Sequence, residues 1–443
     1  PGSSDGTYKL GIDVNAEPAW AHFTAGSRDV IVAVIDEGVD MTHEDLQDVC
    51  IPAGSEGSCN FIPGDDGTYI PAGDHGTHVA GIIGAVNNNG KGICGVAGGD
   101  GTTPGVRILS CVVFKEDPAN EDEIISGYTD RALVWAADHG AVIANNSWGY
   151  VYDTSDEARK GGVGAGMSAA IDYFISTAGC DKQGNQREDS PMKGGVVIFA
   201  AGNEESSEPV YPAAYSGVVS VSALAADYRI ASYSNYGSWV DIAAPGGDDY
   251  DEIYSTIPGD RYTYFSGSSM AAPHVAGVAA LIAANHGGEG FTREDLLELL
   301  LRHTTDISGD NTDRYPGVGL VNAYASIASA SGQAPFAITS ANSVTDGRIV
   351  RMVIGAAATD GDDSQWVSAV RIYYSESPFS DTENIPFFNC SIRLECSETP
   401  FEVESPPLEY GRHYWVAAAL TDEFGNVSPL SHLMPVETGQ NLP

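Results

Sequence analysis

Basic residues are scarce in this 443-residue chain: 21 Lys and Arg stand against 61 Asp and Glu, a formal charge of −40. Such a chain repels nucleic acid and anionic membrane at neutral pH, so neither is expected as a partner. No run of about 18 apolar residues occurs, and no membrane-spanning helix is expected. There are seven cysteines but no CxxC pair, and no HExxH, which argues against a zinc centre. The opening residues PGSSDGTYKL lack the basic and apolar regions of a signal peptide. For a secreted protein this implies leader segments removed before residue 1 or left out of the expressed chain.

What is present is globular in composition, with 42% hydrophobic and 19% charged residues. The length suits about two or three domains. Over the first 330 residues, buried strand candidates alternate with helical stretches: VIVAVID (30–36), GVRILSCVVF (105–114), AVIANNSWG (141–149), GGVVIFAAGN (194–203) and GVVSVSAL (217–224). DRALVWAADHG (130–140) has helical spacing, and HVAGVAALIAAN reads as a nearly all-apolar helix for the core. The pattern predicts an α/β fold, a parallel sheet with helices on both faces. GCDKQGNQREDSPMKGG (179–195) reads as a surface loop. Near SASGQAP (329–335) the composition shifts, and aromatic and β-branched runs such as WVSAVRIYYSES and RHYWVAAALTDEFGN take over. These predict a small all-β sandwich. The expected domains are 1–332 and 336–443. Phe336 onward holds 15 acids and 5 bases, so the acidity is spread along the chain rather than held in a tail.

The close pairs Cys50 with Cys59 and Cys390 with Cys396 suggest disulfides and an oxidising compartment. Cys94 and Cys111 sit in apolar sequence and read as buried thiols. The odd count leaves at least one cysteine free or intermolecular.

Three motifs carry chemistry. In VIVAVIDEGVD a buried strand delivers Asp36 at its carboxyl end, where open α/β sheets build active sites, and Gly38 allows a sharp turn. Alone, Asp36 reads equally as a helix cap or a salt-bridged acid. In DHGTHVAG (74–81), His75 precedes a helix of small residues, and an imidazole near neutral pKa serves as base and acid. His78 lies one turn on, where it is expected to pack. In GSSMAAPHVAG (267–277), Ser269 opens a helix whose N-terminus stabilises negative charge. Pro273 reads as a first-turn proline, and Ser268 as a possible N-cap. Together the motifs give Asp, His and Ser in the chain order of subtilisin, distinct from the chymotrypsin and α/β-hydrolase orders.

DEGVD, HGTHVAG and GSSMAAPHVAG resemble the three signature motifs of the subtilisin-like serine proteases, over roughly residues 12–330. The resemblance implies a secreted or cell-surface serine endopeptidase with Asp36, His75 and Ser269 as its triad. It implies that Asn203, in AAGNEE, donates to the developing oxyanion. In isolation Asn203 reads as a turn residue. The serine's predecessor is Ser268 where the family usually has Thr. Glu37 stands where a small or polar residue is common, and an extra carboxylate there would raise the pKa of His75.

By the same resemblance, Asn146, Ser147, Trp148 and Gly149 line one wall of the S1 pocket and Ala200, Ala201 and Gly202 the other. One strand edge for the peptide would come from 122–126. Trp148 either narrows the pocket or covers the core behind it. Glu204, Glu205 and Glu208 either make the cleft negative, favouring basic or neutral P1 residues, or form a solvated loop. A structural Ca²⁺ is implied, with Asp45 as ligand and Asn87 and Asn89 as co-ligands. Asp248, Asp249, Asp251, Asp306, Asp310 and Asp313 are weaker candidates. Polypeptides are the expected partners, and a monomer the expected state. A kexin-like processing peptidase and a binding protein on a silent protease scaffold are the alternative readings.

Overall fold

A computed structural model describes residues 13–117, 120–150, 162–248, 251–309, 311, 314–328, 336–358, 366–380, 385–395, 400–422 and 427–439. The chain folds as two compact units, Pro1–Ile327 and Ala328–Pro443.

In the first unit the apolar runs become strands buried on both faces. They are β1 (Ile31–Asp36), β2 (Cys59–Asn60), β3 (Arg107–Val112), then, after the short hairpin strands β4 (Phe114–Asp117) and β5 (Asn120–Ser126), β6 (Ile143–Asn146), β7 (Val196–Ala200), β8 (Val219–Leu224) and β9 (Ile242–Pro245). Seven of them form one sheet in the order β2-β3-β1-β6-β7-β8-β9, and the pairings recorded between neighbours are parallel. Every residue of β1, β7 and β8 is buried, as a parallel sheet covered on both faces requires. A further hairpin, β10 (Ile253–Ile257) with β11 (Arg261–Phe265), is antiparallel.

The helices are α1 (Ala16–His22), α2 (Asp74–Gly84), α3 (Thr129–Asp138), α4 (Gly164–Thr177), α5 (Ser268–His286), α6 (Arg293–Arg302) and α7 (Ala323–Ala328). Apolar residues surround α5 on all sides, and it is buried through most of its length, as its sequence predicts. α3 and α4 cover one core, with Phe174, Ile171, Leu133 and Phe199 fully buried.

The second unit carries a three-stranded sheet (β12 Phe336–Asp346, β13 Ile349–Ala358, β16 Phe401–Glu404) and a four-stranded sheet (β14 Trp366–Ser375, β15 Phe387–Glu395, β17 His413–Asp422, β18 Met434–Glu437). Their pairings are antiparallel, and both sheets contribute to one apolar core that includes Met352, Ile354, Val370, Ile372, Val416 and Leu420. The expected β-sandwich architecture is present.

The cysteines differ from expectation. Cys50 and Cys59 are free thiols. Cys50 bridges to Ile108 and Cys59 to Cys111, three residues farther along β3. That separation is about 10 Å at strand rise, beyond disulfide reach. Cys390 is free as well, and Cys396 lies outside the described residues. Cys111 is buried as expected, but Cys94 is exposed. The amide of Ile93 turns inward to Asp45, and the next side chain faces out.

Gly277 marks how tightly α5 is seated. A Cβ there would lie 2.5 Å from the Val96 Cβ. Gly277→Ala is expected to destabilise the unit by about 1–3 kcal/mol through overpacking. Chemical denaturation checks this: an unchanged midpoint would show that the loop at Val96 yields freely.

Candidate active site

β1 ends on Asp36 at the carboxyl edge of the sheet, beside the ends of β3 and β6. The chain then turns through Glu37 and Gly38 and meets residues 71–76 backbone against backbone. Gly73 N–H donates to the Gly38 carbonyl at 2.7 Å. A Cβ on Gly38 would lie 1.6 Å from the Pro71 carbonyl oxygen, and one on Gly76 would lie 2.4 Å from that of Glu37. Gly38 is therefore needed for close approach rather than for a left-handed conformation.

This contact delivers His75, the second residue of α2, to Asp36. His75 Nδ1–H donates to Asp36 Oδ1 at 2.7 Å, and the Glu37 amide donates to the same oxygen at 2.7 Å. Asp36 is 2% exposed, while 33% of the imidazole faces the cleft. Burial by itself would lower the histidine's pKa. The charge and hydrogen bond of Asp36, with Glu37 adding to them, outweigh burial and raise it to about 9. His78 is buried, donates through Nε2 to the Ile253 carbonyl at 3.1 Å and stacks on Phe265. Burial pushes its pKa down to about 4, so it stays neutral, the packing role expected of it.

Ser269, His75 and Asn203 line one cleft of about 840 Å³. Ser269 Oγ–H donates to the Ser147 carbonyl at 3.1 Å, and Ser147 Oγ–H donates to the Ser269 carbonyl at 2.8 Å. Pro273 accounts for the second bond. It lies inside α5, not in the first turn as its sequence position suggested. Lacking an N–H, it leaves the carbonyl four residues earlier, that of Ser269, without an intrahelical donor.

Asn203 follows β7. Its Oδ1 accepts from the Ser268 amide and the Ser268 hydroxyl, both at 2.8 Å. Ser268 Oγ accepts the Gly202 N–H at 3.0 Å. Ser268 is thus not the cap of α5, whose N-cap is Gly267 without a side-chain bond. It is a buried clamp that uses up the carbonyl end of Asn203 and leaves the NH₂ end free to donate. The role was hidden in the sequence because both bonds reach residues more than 60 positions away.

The residues expected at S1 lie at the ends of β6 and β7, which pair through Asn146 and Phe199. Ser147 touches Ser269 directly. Asn146 Nδ2 donates to the Ile198 and Ala144 carbonyls, and Ala200 and Ala201 are buried. A Cβ on Gly149 would meet Val210 and Tyr211 at ordinary contact distance. Gly202 has φ of 100°, and a Cβ on it would meet Asn235 and Glu204. The Trp148 indole N–H donates to the Ile35 carbonyl at 3.0 Å and its ring packs on Phe114 and Phe199. The ring is thus packed against the core as a half-buried side chain.

Two of the acids after Asn203, Glu204 and Glu205, are engaged elsewhere. Glu204 accepts from Asn235 Nδ2 at 2.6 Å, and Glu205 pairs with Arg314 at 2.6 Å. The carboxylates that line the cleft are Glu37, Asp74, Glu116 and Glu252. Lys115 also lines it, tied to Asp65 at 2.6 Å. Phe114 and Glu116, which flank Lys115 on β4, line the cleft as well. Sequence reasoning missed this wall, and the FKED run after GVRILSCVV was its only signal.

The expected calcium ligands Asp45 and Asn89 are bonded to each other in this structure. Both oxygens of buried Asp45 face hydrogen-bond donors: Asn89 Nδ2 at 2.6 Å on one, Tyr262 O–H at 2.9 Å and Ile93 N–H at 3.1 Å on the other. Asn89 presents its donor end to Asp45, and the buried Asn87 amide has no polar partner. No group of three His, Cys, Asp or Glu converges among the described residues. Asp248 binds the Ser232 amide and hydroxyl, Asp251 the amides of Ala226 and Asp248, and Asp306 the Ser308 amide. Asp249, Asp310 and Asp313 lie outside the described residues.

A family model described as the subtilase family matches residues 27–319. A thermophilic serine proteinase of Bacillus sp. (strain AK1) is 37% identical over 324 residues, covering 72% of this chain and 67% of that protein. A halolysin-like extracellular serine protease, Nep, of Natrialba magadii is 31% identical over 312 residues, covering 70% of this chain and 49% of that protein. Among solved structures, a protease from Pseudoalteromonas arctica PAMC 21717 superposes with a TM-score of 0.54 at 27% identity, over 72% of this chain and 94% of that one.

The clamp on Asn203 gives a graded expectation. Ser268→Ala removes one of two bonds to Oδ1 and should lower kcat about tenfold with little change in KM, while Ser268→Thr keeps the hydroxyl and most of the activity. Steady-state kinetics on a chromogenic peptide separate the two; equal kcat in all three proteins would show that the Ser268 amide alone aims Asn203.

Proposed function

The chain belongs to the subtilase family and is a serine endopeptidase, and from that premise we propose that Asp36, His75 and Ser269 are its catalytic triad and Asn203 its oxyanion donor. The observation that carries this reading is the 2.7 Å bond from His75 to Asp36 in the cleft that Ser269 and Asn203 also line. In the proposed reaction Ser269 Oγ leaves the Ser147 carbonyl, gives its proton to His75 Nε2 and attacks the scissile carbonyl. Asp36 keeps Nδ1 protonated, so Nε2 is the basic nitrogen, and stabilises the imidazolium that forms. The tetrahedral oxyanion takes hydrogen bonds from Asn203 Nδ2 and from the Ser269 amide, one of the first-turn donors that α5 cannot pair internally. His75 then protonates the leaving amine, and water repeats the sequence on the acyl-enzyme. Asp45, held by Asn89, Ile93 and Tyr262, has no step in this chemistry.

Broad polypeptide substrates and action outside the cell are the accompanying proposals, the second supported by the extracellular relative named above. The described residues include no helix long and apolar enough to cross a membrane. Glu37, Asp74, Glu116 and Glu252 make the cleft negative. We expect peptides with acidic residues beside the scissile bond to be cut more slowly than basic or neutral ones. A positional peptide library tests this, and fastest cleavage of acidic sequences would contradict it.

Ser269→Ala should lose at least about 10³-fold in kcat while its melting curve stays close to that of the unmodified protein. The unmodified protein should label with a fluorophosphonate and the variant should not; labelling of neither would favour a silent scaffold. His75 must be neutral to act as base, and its partners raise its pKa to about 9. Activity should therefore rise with pH on the alkaline side of the ordinary histidine value. A kcat/KM profile with its acid limb below about pH 6.5 would contradict that assignment.

A further inference from the structure

We propose that Glu37 is a positioning residue for His75: its carboxylate caps the helix that carries the imidazole and ties that helix to the turn that carries Asp36. The inference rests on the triad reading and goes beyond it.

α2 begins without a cap of its own. Its N-cap is Gly73, in extended conformation and with no side chain to offer. The first-turn amides of a helix need outside acceptors. Glu37 Oε2 supplies one, accepting the His75 N–H at 3.2 Å. A carboxylate at a helix N-terminus also meets the positive end of the helix dipole. The glycine and the glutamate fit each other: a Cβ on Gly73 would lie 2.4 Å from Glu37 Cβ and 2.5 Å from its Oε2.

Glu37 thereby contacts both members of the pair it separates in sequence. Its own amide donates to Asp36 Oδ1, its carboxylate accepts from the His75 amide, and Asp36 Oδ1 accepts from His75 Nδ1. The three contacts close a ring, so the imidazole cannot shift along α2 without breaking one of them. Asp36 Oδ2 is buried and has no partner, which leaves the Oδ1 contacts to fix that carboxylate.

The charges facing this ring are one-sided. Asp36 and Glu37 stand at the end of β1, Asp74 at the start of α2, Glu116 on β4 and Glu252 just before β10. Besides His75 itself, Lys115 is the one cation among the described lining residues, and it is held by Asp65. His78, one turn along α2, stays neutral. Burial, then the charge of Asp36, raises the Glu37 carboxyl above its usual value, and its charge in turn adds to the rise at His75.

The test compares Glu37→Gln and Glu37→Ala in the full chain on a neutral peptide, with melting curves, fluorophosphonate labelling and kcat/KM against pH. Gln keeps an acceptor for the His75 amide but removes the charge, so its acid limb should move to lower pH while kcat falls no more than about threefold. Ala removes both, so the limb should move similarly while kcat falls about tenfold, with KM within about twofold. Unchanged kcat and an unmoved limb in Glu37→Ala would overturn the proposal. So would an equal loss in both variants carried by KM, which would make Glu37 a substrate-binding carboxylate. Should Ala not fold, an unmoved limb in Glu37→Gln overturns it as well. Failure of the unmodified protein to label would instead reject the triad reading.

Discussion

The site depends on one close approach: the turn at residues 36–38 packed backbone to backbone on residues 71–76. Three glycines, Gly38, Gly73 and Gly76, make it possible, because a Cβ at any of them would overlap an atom of the opposing segment. The approach brings a carboxylate at a strand end and an imidazole at a helix start within 2.7 Å. It is stable because both pieces are anchored in the core. β1 lies inside the sheet between β3 and β6, and α2 is buried from Gly76 to Gly84. The geometry of the Asp36–His75 pair is thus held by packing far larger than the hydrogen bond it serves.

A second constraint comes from α5. Its amphipathicity is nil because it runs through the core, so its N-terminus is fixed in place and its first residues can be aimed. Ser269 and Ser147 exchange hydrogen bonds between a helix start and a strand end, and Ser268 holds Asn203. Pro273 belongs to this arrangement: removing one donor inside the helix frees the Ser269 carbonyl for Ser147. A feature that would ordinarily disturb a helix here joins α5 to the end of β6 beside Ser269.

The acidity of the chain is used locally. Many carboxylates accept backbone amides in turns, and these lower the pKa values of Asp66 and Asp181, while at Asp100 the Thr102 hydroxyl and then the amides of Thr103 and Thr102 lower it to about 2. Asp45 takes three donors, from Asn89, Ile93 and Tyr262. The cleft carboxylates stand apart from these, since few bases are available to neutralise them.

The sequence by itself determined the family and singled out Asp36, His75 and Ser269, because each stands in a short motif whose residues are neighbours in the chain. Helix and strand placement was legible too, because periodicity and apolar runs are local signals. What only the tertiary structure decided were contacts between distant segments. Glu37 as a cap for α2, Ser268 as a clamp on Asn203, the β4 wall of the cleft and the failure of Cys50 to reach Cys59 all depend on strand register and backbone approach. Those quantities are set when the core closes, by packing and steric exclusion acting between residues that no local pattern relates.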